Sequence, residues 1–499
     1  MIRRGAEKAG NGHEVTLWLV VIATFLASLS NNVLGVAVPV VVRHFHADAF
    51  EATLVLLVPS LTSTTTVLVL GRAGDLLGRR PNYIAGLTLF TISSLLLGFS
   101  VNVWMVILLQ VVRSFGVATL WANSAAILVE ELPSRRRQRG LGLYIAAVAV
   151  AQLIGPTLGG IVADTIGWRW IFWINVPAGA ACVLWSRRRL PRRPAGVIRR
   201  ESLDLPGGVL LLVGLSSVVV SISLAESFGT IGVASASALA GGFALLVAFV
   251  LRESSVATPL LDLSLFRDRA FSLAMLSGVL NAMAEWGPVI LMVLFFQAVR
   301  GLSPLRAGLT VVPLPVFTGV FSALAGRLSR RASGEALSVL GSLVATGGLV
   351  ALALSLSGSY DVVEVALGVV GAGSGIFMPA NTNVLLSRAS VSTTGLINGT
   401  RLTLQNVGWV TSAAIALTLA VAGLPVSIRH EFFAASIGRL SPGYVEQLLN
   451  GYRIAVGLLA FFAFAGALTA VAAQPARALR RIGPVTRASG PDEASTVLD

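Results

Sequence analysis

The chain has 499 residues, 55% hydrophobic and 12% charged, with a formal net charge of +14 and a mean hydropathy of +0.82. Soluble domains carry about a quarter charged residues and lack recurring apolar runs of membrane length, so this composition excludes a soluble globular protein. The apolar content excludes disorder, the long unalternating runs exclude a β-barrel, and the single cysteine, Cys182, excludes a disulfide framework or thiolate metal site.

Fourteen apolar segments follow one another along the chain. They run roughly 15–42, 51–71, 82–100, 103–130, 141–163, 168–186, 205–224, 231–252, 271–299, 304–327, 335–356, 361–388, 395–421 and 451–474. The first has no cleavage site after a short apolar core and reads as a true span rather than a signal peptide. With the N-terminus placed inside, the cytoplasmic stretches hold 28 basic residues and the outer loops six: Arg43, Arg169, Arg300, Arg306, Arg429 and Arg439. Cytoplasmic loops attract Lys and Arg, so both termini are expected in the cytoplasm, with an even number of spans. The same asymmetry accounts for the net charge without a nucleic-acid partner. The Arg-rich, Lys-poor usage resembles that of a high-GC bacterium, whose plasma membrane is the expected location.

Three blocks are expected. Residues 1–186 form a six-helix bundle, 187–204 an Arg-rich cytoplasmic linker, 205–252 a helix pair, 253–474 a second six-helix bundle, and 475–499 a cytoplasmic tail. Gly71-Arg72-Ala73-Gly74-Asp75 after segment 2 is echoed by Gly326-Arg327-Leu328-Ser329-Arg330 after segment 10, and paired halves are how many transporters are built.

The sharpest motif is the loop from Gly71 to Arg80. Its glycines, Gly71, Gly74 and Gly78, permit a tight turn and close helix approach, and Asp75 among Arg72, Arg79 and Arg80 is placed to form a charged latch. In segment 5, Gly155 and Gly159 share one face beside Gly160, which lets another helix pack close, while Pro156 removes a backbone donor and bends the helix.

The loop Gly71–Arg80 resembles the loop 2–3 signature of the major facilitator superfamily, and Gly155–Gly160 resembles its antiporter motif. Gly167 through Gly179 is very similar to the segment 6 entry of the fourteen-helix drug:proton antiporter branch. Leu261–Ser272, Gly301-Leu302-Ser303-Pro304 and Ala307-Gly308 also look like that branch. The resemblance implies an all-α polytopic membrane protein with the major facilitator fold: two six-helix bundles plus a central helix pair, fourteen transmembrane helices in all. It also implies alternating access around a central cavity, with protons moving inward as a substrate leaves. The sequence departs from the branch in three places. Ser30 stands where an aspartate is usual, Ser114-Phe115-Gly116 lacks the usual glutamine and glycine after Arg113, and Arg330 replaces the acid that Asp75 supplies in the first half.

A charge at mid-membrane costs about 2.5–3.5 kcal/mol on insertion scales, so its presence marks function or a structural pair. Glu285 lies about 21 Å along segment 9 at 1.5 Å per residue, near the midplane, beside Met283, Ala284, Trp286 and Pro288. Such surroundings favour a neutral carboxyl and suit a proton carrier. The resemblance makes segments 1, 4, 9 and 12 the cavity lining, and Ser30, Asn31, Asn32, Arg113, Glu285, Asn381 and Asn383 fall on them. Trp121 and Trp286 lie deep enough to hold flat or cationic molecules, although filling helix contacts is the commoner role. Asn398, Arg401 and Gln405 share one face of segment 13, where a brace and a transport role are equally open. Trp18, Trp104, Trp168 and Trp170 sit at interface depth, and His44 and His46 in a solvated outer loop too sparse in ligands for a metal.

These residues predict a monomeric exporter of small organic molecules, drug-like and with cations among them, exchanging them for protons across the bilayer. No catalytic residues, metal or cofactor is expected, and the absence of GxxxxGK[ST] argues against ATP as the driver. The rival readings are a dedicated exporter of one endogenous metabolite or lipid with atypical or no proton coupling, and a transporter-like membrane sensor. A membrane enzyme would show clustered nucleophiles or acids at one depth.

Overall fold

The computed structural model of the protein describes residues 2–190, 204–228, 232–256, 259, 261, 263–329, 331–387, 394–433 and 442–474. Most of the linker 187–204, the tail 475–499 and Arg330 therefore lie outside the described residues.

Seventeen α-helices and two short 3-10 turns occupy these residues, with no strand among them. The helices are α1 Ile2–Phe45, α2 Ala49–Leu77, α3 Arg79–Leu97, α4 Val103–Glu131, α5 Ser134–Thr165, α6 Trp170–Trp173, α7 Asn175–Arg189, α8 Leu205–Phe228, α9 Val233–Glu253, α10 Arg269–Ala298, α11 Pro304–Thr310, α12 Pro313–Leu328, α13 Gly334–Ser355, α14 Tyr360–Leu386, α15 Thr394–Val421, α16 Arg429–Phe433 and α17 Pro442–Ala472. Several starts are fixed by side-chain caps that satisfy otherwise orphaned backbone N–H groups. Asp48 accepts from the Glu51 amide at 2.7 Å while Glu51 reaches back to the Asp48 amide at 3.1 Å. At the starts of α4 and α10, Asn102 Oδ1 accepts from the Met105 amide at 2.7 Å and Asp268 Oδ1 from the Ala270 amide at 2.9 Å.

Helices occupy all fourteen apolar segments, yet among the described residues only twelve are long and apolar enough to cross a membrane. The exceptions carry segments 3 and 6. Helix α3 opens on Arg79-Arg80-Pro81-Asn82, which lowers its apolarity, and segment 6 is broken at Ile174 into α6 and α7. Segment 10 is also broken, between Thr310 and Pro313, because a proline ring cannot continue the preceding turn.

In the first half, α1 packs on α5, α2 and α3 pack on α4, and α7 lies against α3 and α1. In the second, α14 lies between α12 and α13, and α10 lies against α15 and α17. Helices α8 and α9 form a hairpin, and α8 touches both α2 and α15. A pair between half-exposed Arg252 and buried Asp204, Nε to Oδ1 at 2.8 Å, ties its two ends together. The largest apolar core runs through both halves, from Val36 and Val55 to Leu291, Phe295, Leu417 and Tyr452.

Candidate functional site

In the first half, a polar cluster sits between α1, α4 and α7. Arg113 is fully buried, and its Nη1 donates to the Ser30 hydroxyl, with the Ser30 carbonyl at 3.5 Å. Asn175 Nδ2 donates to the same hydroxyl at 3.3 Å and to the Ile171 carbonyl at 2.9 Å. The Phe172 ring lies 5.7 Å from the guanidinium carbon, within cation–π range. No acid pairs with Arg113 among the described residues. Its Nε and Nη2, both amide atoms of Gln110 and Asn175 Oδ1 are buried without a hydrogen-bond partner among the described residues. Leaving a buried polar group unsatisfied costs about 1–3 kcal/mol, more for a charge. Such a cluster is not what packing alone would select, and intramembrane charge defaults to function.

Nearby, Asn31 is half-buried, and Asn32 donates to the Ser28 carbonyl at 2.7 Å. Trp121 is half-buried against the apolar cluster of Leu26, Tyr83 and Leu120.

In the second half, Glu285 on α10 is half-buried, and no hydrogen bond or ion pair joins it to another described residue. The Trp286 side chain lies outside the described residues. Asn381 is buried, and its Nδ2 has no partner among them. It converges with Gln405 on Gly278, where a Cβ would stand 2.7 Å from Asn381 Nδ2 and 2.9 Å from Gln405 Nε2. Gln405 Oε1 accepts from Arg401 Nη1 at 2.9 Å, so α15 presents a cation and an amide in series toward α10. Asn383 is exposed, because two residues along a helix turn it about 200° away from Asn381. The Asn398 side chain lies outside the described residues.

The stretch expected as a loop is mostly helical: Gly71 to Leu77 form the last turns of α2, Arg79 and Arg80 open α3, and only Gly78 turns the chain between them. Gly78 adopts φ +96°, a left-handed conformation that only glycine takes without strain. Gly74 meets the Asn123 amide, with a Cβ there lying 2.0 Å from Oδ1, and Gly71 passes Ala122. Arg79 pairs with Glu130 at 2.8 Å, and Arg80 Nη2 donates to the Arg187 carbonyl at 2.7 Å. Arg72 is half-buried, and the Asp75 side chain lies outside the described residues.

The glycines of α5 face two helices. A Cβ on Gly155 would stand 2.6 Å from Asn32 Cβ, and one on Gly159 2.6 Å from the Val33 carbonyl, so α1 presses directly on α5. Gly160 faces α11, where a Cβ would stand 2.5 Å from Leu305 Cα. Gly308 meets the Pro156 carbonyl in return, and Asp164 Oδ2 accepts from the Leu305 amide at 3.2 Å. Gln297 near the end of α10 donates to the Val36 carbonyl of α1 at 3.2 Å. Thus the C-terminal parts of α1, α5 and α10 and the start of α11 lock the two halves together.

Comparison with known proteins decides the family, since the profile described as Major Facilitator Superfamily matches residues 20–413. The chain belongs to the major facilitator superfamily. It is a multi-pass membrane transporter of that superfamily, whose members are not enzymes. It is 29% identical over 410 residues to the multidrug transporter protein MdtP of Bacillus subtilis, covering 80% of this chain and 74% of that one. It is 31% identical over 365 residues to the drug efflux pump JefA of Mycobacterium tuberculosis, covering 72% and 71%. Its fold is similar to a bacterial homologue of the human lysosomal transporter Spinster, solved in an inward-facing, unoccupied conformation. The TM-score is 0.67 at 16% identity, covering 93% of this chain and 97% of that one.

The structure adds residues to those expected from sequence. Gln110 lies three positions before Arg113 in an apolar run, and that spacing was its signal. Asn175 joins the cluster through a chain reversal that no local pattern announces. One expectation is corrected in part. His44 lies in the last turn of α1 rather than in a loop, exposed, with Nε2 3.3 Å from Arg169 and its ring 5.7 Å from Trp168, while His46 is exposed in the turn that follows. Trp168 is buried, with Arg169 stacked 4.6 Å over its ring and Phe45 at its edge.

Proposed function

We propose that this superfamily member is a secondary active exporter of small organic molecules, working by alternating access in exchange for protons. The observation that carries the reading is the contrast between two intramembrane charges. Arg113 is anchored by Ser30 beside Asn175, whereas Glu285 is a half-buried carboxyl joined to no described residue by a hydrogen bond or ion pair. A carboxyl held in a structural pair would be a brace, and a free one within a span is placed to bind and release a proton. Asn31, Asn32, Trp121, Asn381 and the Arg401–Gln405 face supply further groups for a substrate. The loop from Gly71 to Arg80 acts as the gate, with Asp75 as its acid. The relatives named for multidrug transport support a broad range of small organic substrates.

In this reading all fourteen helical segments cross the plasma membrane as two six-helix bundles and a central pair, in a monomer with both termini cytoplasmic. Helix α3 supports it: its 19 residues span about 28 Å at 1.5 Å per residue, and Leu89, Ile92, Leu95 and Leu96 face outward where only lipid would cover them. A reporter fused after Asp499 is expected to be active only when of a type that works inside the cell. Activity of an outside-only reporter overturns the orientation.

The direct test is efflux of a fluorescent organic cation from whole cells loaded with it. Efflux is expected to follow an imposed pH gradient and to collapse with an ionophore. Transport of one metabolite alone, indifferent to pH, would favour the dedicated-exporter reading.

A further inference from the structure

A groove of about 540 Å³ runs along the outer side of α3, away from the polar clusters. Arg80 and Arg187 form one end, and Ile84, Thr88, Leu89 and Ile92 line its length as a single helical stripe. We propose that this groove binds one phospholipid with an anionic headgroup, its phosphate between Arg80 and Arg187 and an acyl chain along the stripe.

Three observations support this occupant. The first is charge. Arg80 spends one nitrogen, Nη2, on the Arg187 carbonyl, and its Nε is buried without a hydrogen-bond partner among the described residues. Neither arginine forms an ion pair with an acid among the described residues, so Arg80 at the start of α3 and Arg187 in the last turn of α7 bring two cations together that no described carboxylate neutralises. The second is the helix itself. Gly78 gives α3 no side-chain cap, so the positive end of its dipole adds to the attraction for a phosphate at the same place. The third is length. From Arg80 to Ile92 the helix rises about 18 Å, close to the depth of one leaflet's hydrocarbon. Leu89 and Ile92 are exposed, as expected of side chains that meet an acyl chain rather than another helix. Basic pockets beside membrane helices are recognised binders of anionic headgroups. Because Arg80 also belongs to the α2–α3 turn, and Arg187 to the end of α7, the lipid would tie these two ends together.

The test uses the full-length protein purified in mild detergent. Parent protein is expected to retain one phosphatidylglycerol in native mass spectrometry. It should also gain thermal stability from added phosphatidylglycerol but not from phosphatidylcholine or glycerol 3-phosphate. Arg187→Gln should lose both the retained lipid and the gain, and so should Leu89→Trp, which fills the groove without changing charge. Arg188→Gln, with the same charge change on an exposed neighbour, should behave as the parent. Equal loss in Arg188→Gln, an equal gain from glycerol 3-phosphate, or no preference for the anionic lipid in the parent overturns the proposal. Both measurements are independent of transport, so failure of the antiport reading leaves them unchanged.

Discussion

Glu285→Gln is expected to abolish pH-driven efflux while leaving the protein folded in the membrane. Glutamine keeps the shape and hydrogen-bonding capacity of the carboxyl but cannot exchange a proton. Glu285 forms no hydrogen bond or ion pair with a described residue, so the substitution removes no structural pair among them. In the proposed antiport, proton and cationic substrate compete for one carboxylate, and linkage requires each to weaken the other by the same factor. Substrate affinity should therefore rise with pH in the parent, because fewer carboxyls are then protonated, and should be flat in Glu285→Gln. Loss of a charge contact of about 1.4 kcal/mol would weaken binding of a cation roughly tenfold. Energy-independent exchange of labelled for unlabelled substrate should survive, since it requires rocking but no proton. Undiminished uphill transport by Glu285→Gln would remove the carboxyl from the coupling mechanism.

Helix positions were legible because a membrane span must bury every backbone polar group in a continuous apolar helix, and such runs are long enough to see. The breaks within spans were less visible. Pro313 after Val311-Val312 carried a signal for the gap between α11 and α12, whereas the kink at Ile174 arises where Trp168, Phe172 and Asn175 pack against α1 and α4. Within the site, periodicity placed Arg113, Glu285 and Asn381 on helices but not beside partners. The contact between Arg113 and Ser30 joins residues 83 apart in sequence, and the convergence of Asn381 and Gln405 on Gly278 depends on three helices meeting. Sequence gives the face of a helix, and only packing gives what that face meets. The same limit hid His44, whose loop-like, polar surroundings in sequence gave no hint of the Trp168 ring beside it.

Gly160→Val is expected to reduce active transport to background. The reason is geometric rather than chemical. A Cβ at Gly160 would stand 2.5 Å from Leu305 Cα and 2.6 Å from Leu305 N, and these are backbone atoms that cannot swing aside. Helices α5 and α11 must separate, which breaks the Asp164–Leu305 hydrogen bond and the reciprocal fit of Gly308 against Pro156. This seam joins the two halves, so parting it disfavours the conformation described here relative to one in which these ends stand open. Overpacking of this kind costs about 1–3 kcal/mol, and 1.4 kcal/mol already shifts a two-state ratio tenfold. A thiol placed at Leu305 should accordingly react faster with a membrane-impermeant reagent in Gly160→Val than in the parent. Gly308→Val should act in the same direction, because its Cβ would meet the Pro156 carbonyl at 2.6 Å. Gly142→Ala, lower in the same helix and with nothing within 4 Å of its Cβ, should leave both transport and labelling unchanged. If Gly160→Val transports normally, or Gly142→Ala fails as badly, the glycines of α5 serve helix propensity and membrane packing in general, and the seam between α5 and α11 does not govern the transport cycle.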